Sequence, residues 1–128
     1  MTLHLSLDQV LRVHQAQVEA FGGSAGLRDR GALEAAVHRP QTTFGGEDLY
    51  PDTAAKCAAL MHSLIANHPF VDGNKRTAAV VSETFLALNG YQLAASDAEL
   101  VVAMLALAAG ELSEAELADW FRGLLAEA

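Results

Sequence analysis

The sequence predicts an all-α single domain, a compact bundle of about six helices. Three observations carry that prediction. Apolar residues recur at steps of three and four along most of the chain, and Ser-x-x-(Gln/Glu) capping boxes stand ahead of three such stretches. No segment alternates apolar and polar residues with the period of a half-buried strand.

Ser6 and Gln9 form the first box, with Leu5 and Val10 placed to staple the chain's entry. Val13, Gln17 and Val18 continue a mostly apolar stripe, and Gly22 supplies a left-handed end. After a loop through Gly23, Ser24 and Gly26, Asp29 caps a second helix to about His38, which Pro40 stops. Residues 41–51 (QTTFGGEDLYP) carry two glycines, two acids and a proline without helical period, and read as a mobile loop or a short hairpin. Asp52 caps a third helix along Ala55, Ala58, Met61 and Ile65, ending at Asn67. It is apolar on more than one face and so belongs at the centre. A fourth helix runs from near Asn74 to Asn89, with Gly90 beyond it. Ser96 and Glu99 open a fifth that ends at Gly110, and Ser113 and Glu116 a sixth that reaches the terminus, anchored by Trp120 and Phe121. Tyr91-Gln92-Leu93 could be extended, but is too short to build a sheet.

Composition narrows the function. At 128 residues, with 52% apolar and 19% charged, the chain suits one packed domain over residues 1–128 and excludes disorder. Its net charge of −8 repels nucleic acid and anionic membrane, so neither is an expected partner and any anion site must be a local basic pocket. The lone Cys57 permits no internal disulfide and reads as a small buried residue in a reducing compartment. No export signal stands at the N-terminus, and the most apolar run, Leu100 to Ala109, is about half a membrane span. The expected location is the cytoplasm.

One junction differs from the rest: His68-Pro69-Phe70-Val71-Asp72-Gly73-Asn74-Lys75-Arg76-Thr77. It gathers a His, an Asp, an Asn and two cations between two mostly apolar helices. The first turn of a helix leaves N–H groups unpaired and carries partial positive charge. Gly73 would let a phosphate approach the backbone, and Lys75 and Arg76 would add full charge. His68 is the side chain here that titrates near neutrality, hence the natural proton acceptor, and Asp72 is a hard oxygen ligand suited to Mg²⁺ on phosphate oxygens. Together they describe phosphoryl-type transfer by positioning and charge stabilisation.

HPFVDGNKRT resembles the signature of the Fic/Doc family, H-P-F-x-[DE]-[GA]-N-[GK]-R. Phe21-Gly22-Gly23, Leu27 to Gly31, Arg39-Pro40-Gln41 and Phe44 to Pro51 are similar to its death-on-curing (Doc-type) toxins. The resemblance implies the Fic fold, with residues 41–50 as a short flap that aligns a target segment. It implies His68 as the base on a target hydroxyl and Asp72 as the Mg²⁺ holder. Gly73 and Asn74 would form the anion hole, Lys75 and Arg76 would bind nucleotide phosphates, and Phe70 would pack inward to fix the loop.

Two departures from the adenylylating Fic pattern bear on the reaction. Lys75 stands where that pattern has glycine, and Ala79 where it has a second arginine. In Doc-type members the lysine goes with a reversed nucleotide that presents its γ-phosphate. The resemblance therefore implies a toxin of a type II toxin–antitoxin system. Its activity would be an ATP- and Mg²⁺-dependent protein kinase acting on a Thr or Ser hydroxyl of elongation factor Tu, which inhibits translation. A protein adenylyltransferase on the same scaffold is the alternative, and a catalytically inactive antitoxin-binding regulator is a third reading. No S/T-x-x-x-E-G/N inhibitory helix is present, since Thr43 to Glu47 is followed by Asp48 among glycines. A separate Phd-like antitoxin is implied, its disordered tail folding as a helix beside the flap.

Other features read as structure. Gly22-Gly23-x-x-Gly26 lacks the preceding strand and spacing of a phosphate loop, and is a cap and turn. His14 and His62 are expected to pack or cap, His4 and His38 to lie at the surface or at helix ends, and no histidine pair has metal-ligand spacing. Glu47 and Asp48 are expected to keep their loop soluble.

Overall fold

A computed structural model describes residues 1–128. Six α-helices form it: α1 (Leu7–Phe21), α2 (Arg30–His38), α3 (Thr53–Asn67), α4 (Asn74–Leu88), α5 (Asp97–Ala108) and α6 (Glu114–Leu124). The three capping boxes are made as their sequences predict, with Gln9, Glu99 and Glu116 each returning a side-chain bond to the cap residue's N–H. Asp29 and Asp52 accept from Ala32 and Ala55 and start α2 and α3. Pro40 falls inside a 3₁₀ turn, Arg39–Gln41, that continues α2 and then ends it.

α3 is the central helix and packs against α2, α4, α5 and α6. Met61 and Leu64 meet Val10, Leu33, Val81, Phe85, Leu117 and Phe121 in one core, each contributing about 1.5–3 kcal/mol by leaving water. Cys57 is fully buried there, and burial pushes its thiol up to about 12, so it is neutral and no nucleophile. No helix is long and apolar enough to cross a membrane.

Four short strands complete the chain. Thr43–Phe44 (β1) and Glu47–Asp48 (β2) form a hairpin whose two turn residues, Gly45 and Gly46, have φ of 62° and 83°. Only glycine takes such angles without cost, which is why the helical period fails here. The second pair corrects the sequence reading. Tyr91–Leu93 (β3) does enter a sheet, because Leu125–Glu127 (β4) lies antiparallel to it, Tyr91 facing Glu127 and Leu93 facing Leu125. The sixth helix therefore stops at Leu124 rather than at the terminus. A three-residue strand shows no period of its own, and its partner comes from the far end of the chain.

Asp52 joins α3 to α6. Its carboxylate takes the Ala55 N–H and two bonds from Arg122, at 2.7 and 3.1 Å. The Arg122 hydrogen bonds, aided by Ala55 and by the arginine's charge, hold this carboxyl below its ordinary value. A group depressed in the folded state stabilises above its unfolded pKa of about 3.9 and loses that contribution as pH falls further. Asp52→Asn keeps an acceptable cap, so it should cost less than about 1 kcal/mol at neutral pH, the pair being half exposed. It should also make denaturant midpoints fall less steeply than the parent's below about pH 4.

Candidate active site

Five helices open on a side chain that accepts from their first turn; α4 does not. Its N-cap is Gly73, at φ 76° and ψ 16°, with no side-chain bond. The N–H groups of Asn74, Lys75 and Arg76 are left for an acceptor from outside the helix. A hollow of about 270 Å³ lies against them, lined by His68, Val71, Asp72, Gly73, Asn74, Lys75 and Arg76. The six residues expected to carry the chemistry thus line one pocket.

The loop that shapes it is fixed from several sides. His68 ends α3 in the left-handed conformation, φ 50° and ψ 55°, the one non-glycine residue with positive φ. Arg28 donates through Nε to the His68 carbonyl at 2.6 Å and through Nη2 to that of Asn67 at 2.7 Å, serving the orphan acceptors at the end of α3. The Pro69 carbonyl accepts from the N–H groups of Arg28 and Asp29, and Val71 N–H donates to Gly26. Phe70 is buried, 1% exposed, with its ring stacked 3.7 Å from that of His14. His14 Nε2–H donates to the Asp72 carbonyl at 2.8 Å, so this buried α1 residue packs, as expected, and also holds the loop.

Asn74 is the inner clamp. Its Oδ1 accepts from Phe70 N–H at 3.0 Å and its Nδ2 donates to the Phe70 carbonyl at 2.9 Å, which fixes the amide's orientation. The remaining Nδ2 hydrogen points to His68 Nδ1 at 3.1 Å. In that arrangement Nδ1 accepts and the neutral ring carries its proton on Nε2. The Asn74 side chain is therefore committed to the loop and to the histidine. What it offers an anion is its backbone N–H.

The charged groups stand apart from one another. Lys75 is exposed and forms no ion pair, and Arg76 lies 5.3 Å over the Phe21 ring with Nη2 donating to the Gly22 carbonyl at 3.3 Å. One Asp72 oxygen, Oδ1, accepts from Gly73 N–H; the other, Oδ2, lies beside Gly23. No group of three His, Cys, Asp or Glu side chains comes together anywhere. A single free carboxylate oxygen suits Mg²⁺ that takes its remaining ligands from phosphate and water, and suits no metal that needs a full protein cage.

The β1–β2 hairpin is tethered by a buried lysine. Lys56, 2% exposed, donates from Nζ to Asp48 Oδ2 at 3.1 Å and to the Tyr50 carbonyl. Asp48 therefore anchors the hairpin as well as solvating it. Lys56→Met keeps the volume, frees Asp48 to solvent and leaves the Tyr50 carbonyl unpaired, a loss of about 1–3 kcal/mol. Amide exchange at Phe44 and Glu47 should accelerate in this variant while exchange along α4 stays as in the parent.

The sequence reading missed three contributors. Arg28 and Gly23 act only through loops brought together by the fold, and Lys56 looks like the solvated face of α3 until the hairpin covers it. Comparison with known proteins agrees with this architecture. A family model, Fic/DOC family, matches residues 4–86. Toxin Doc of Mycolicibacterium smegmatis is 52% identical over 95 residues, covering 74% of this chain and 71% of that protein. Protein kinase doc of Escherichia phage P1 is 33% identical over 125 residues, 98% of each chain. With the signature loop folded onto an uncapped helix terminus and matches of this extent, the chain belongs to the Fic/DOC family.

Proposed function

We propose that this chain is a Doc-like toxin of a type II toxin–antitoxin system. It acts in the cytoplasm as a protein kinase that moves the γ-phosphate of ATP to a Thr or Ser hydroxyl of a translation factor, elongation factor Tu by family resemblance. The observation that carries the reading is the α4 terminus: uncapped N–H groups, an unpaired Lys75 and His68 on one pocket. The names of its relatives, a Doc toxin and a Doc protein kinase, support the same activity.

In this reading the phosphates lie against the N–H groups of Asn74, Lys75 and Arg76, where the helix dipole and two cations balance their charge. Asp72 Oδ2 would hold Mg²⁺, which supplies charge neutralisation on the phosphate oxygens. The target hydroxyl oxygen bonds to the γ-phosphorus as the bond to ADP breaks, and its proton passes to His68. Because Asn74 occupies Nδ1 and Nε2 carries the resting proton, the exposed ring must leave Asn74 to take that proton. The β1–β2 hairpin, expected as the flap, is instead tethered through Asp48 to Lys56 near the start of α3, beside Asn89 and Tyr91 at the far end of α4. None of its residues lines the pocket. A Phd-like antitoxin is the expected regulator.

Lys75 and Ala79 favour γ- over α-transfer, since a lysine fills the room that inner phosphates need and no second arginine holds them. ATP labelled at the α or the γ position, incubated with the chain and elongation factor Tu, tests this. Label from γ alone is expected. Label from α alone would establish adenylyl transfer, and label from neither would leave the inactive-regulator reading.

A further inference from the structure

From Leu100 onward helix α5 is apolar on every side, yet the fold covers only one. Residues 100–109 are all apolar, and a helix of that kind is ordinarily buried all round. Here Leu100, Ala103, Met104 and Leu107 enter the core, while Val101, Val102 and Leu105 stay 43%, 67% and 48% exposed. Between α5 and α6 the uncovered side forms a groove of about 470 Å³ floored by Val102, Ala106, Leu112 and Trp120. Six of its seven lining residues are apolar, and it lies on elements that contribute nothing to the phosphate pocket.

Charge around it identifies the occupant. From residue 77 to the end the chain holds eight of its sixteen acids and a single cation, Arg122. That arginine is already paired with Asp52 and Asp119. Glu99 lines the groove itself, and Asp97 and Glu111 are exposed at the two ends of α5. Burial, and to a lesser degree the charge of Asp97, hold Glu83 on α4 above its ordinary value. A second copy of the chain would bring acid against acid, and an anionic membrane would be repelled in the same way. An apolar strip with basic flanks is favoured.

We infer that the α5–α6 groove docks an amphipathic helix of a partner protein, apolar along one face and flanked by Lys or Arg. α5 is about 18 Å long, enough to seat three turns of such a helix with anchors at i, i+3 or i+4, and i+7. Trp120, the one tryptophan, lies in the groove and reports occupancy directly.

The test is a fluorescence titration of the full chain with two synthetic 18-residue helices sharing one leucine face, one flanked by lysines and the other by glutamates. The lysine peptide should shift Trp120 emission to the blue with saturation, and its affinity should fall at least tenfold between 50 and 300 mM salt. Val102→Ser should weaken it at least tenfold. Glu99→Gln, which keeps the capping box, should weaken it several-fold. Both variants change exposed side chains, and unaltered helical circular dichroism would verify their folding. Four results would overturn the inference: no shift with the lysine peptide, equal binding of the glutamate peptide, binding indifferent to Val102→Ser, or a shift produced only by vesicles containing phosphatidylserine. So would a concentration-dependent dimer that Val102→Ser abolishes, since the occupant would then be a second copy.

Discussion

His68→Gly should lower phosphoryl transfer by at least about 10²-fold, the usual contribution of a positioned base, and yet leave thermal stability no lower than the parent's. The two halves of this expectation come from different features of one residue. The imidazole is exposed and makes a single side-chain hydrogen bond, to an Asn74 amide that Phe70 already holds by two others. Its removal takes little from the fold. The backbone at φ 50° costs a non-glycine residue about 1–2 kcal/mol, which glycine recovers, less about 0.5–1 kcal/mol for a more flexible unfolded chain. Under the proposed mechanism, strain at this position is maintained for the ring, which lines the pocket. His68→Ala keeps the strain and loses the ring, so it should match the glycine variant in rate and fall below it in melting temperature. Retained transfer in either variant would remove histidine as the base. A melting temperature several degrees below the parent's in His68→Gly would instead make the ring a structural support.

How much of this could be read from the chain depended on distance along it. Helix starts were legible because a cap and its acceptor lie three residues apart, as with Ser6 and Gln9 or Ser113 and Glu116. The pocket residues were legible for the same reason: His68 to Arg76 is one loop and one helical turn, and the chemistry of each side chain is local. The apparatus that holds the loop was not. His14 reaches Asp72 across 58 residues and Arg28 reaches His68 across 40. In sequence both are ordinary polar residues of a helix and a loop. That Asn74 lies at the pocket was legible while the orientation of its amide was not, because that depends on the loop turning Phe70 back over it. The β3–β4 pair failed on length, and Lys56 on burial by a hairpin whose position no periodicity encodes.

Gly23→Ala should be the most damaging change outside the signature loop, although Gly23 has no side chain and lies on a segment that reads as a simple turn. Its φ is 105°, and an added Cβ would stand 2.5 Å from Asp72 Oδ2 and 3.2 Å from Asp72 Cγ. No carbon tolerates that approach, so one partner must move. Asp72 is exposed and its carboxylate turns more easily than the backbone, which is held by His14 at the Asp72 carbonyl. The stability cost is then about 1–2 kcal/mol of backbone strain. The functional cost is larger in the proposed reading, in which the displaced oxygen is the one that would hold Mg²⁺. Transfer should fall at least tenfold, the Mg²⁺ concentration for half-maximal rate should rise, and excess Mg²⁺ should restore part of the loss. Gly22→Ala is the control: at φ 81° it carries similar strain, but nothing lies within 4 Å of its Cβ, so it should lose stability and keep its Mg²⁺ dependence. A double-mutant cycle decides the mechanism. In an Asp72→Ala background, where the added methyl no longer meets a carboxylate, Gly23→Ala should reduce the residual rate no further. An undiminished second loss there would mean that Gly23 acts on the site by another route, through Arg76 or the end of α1.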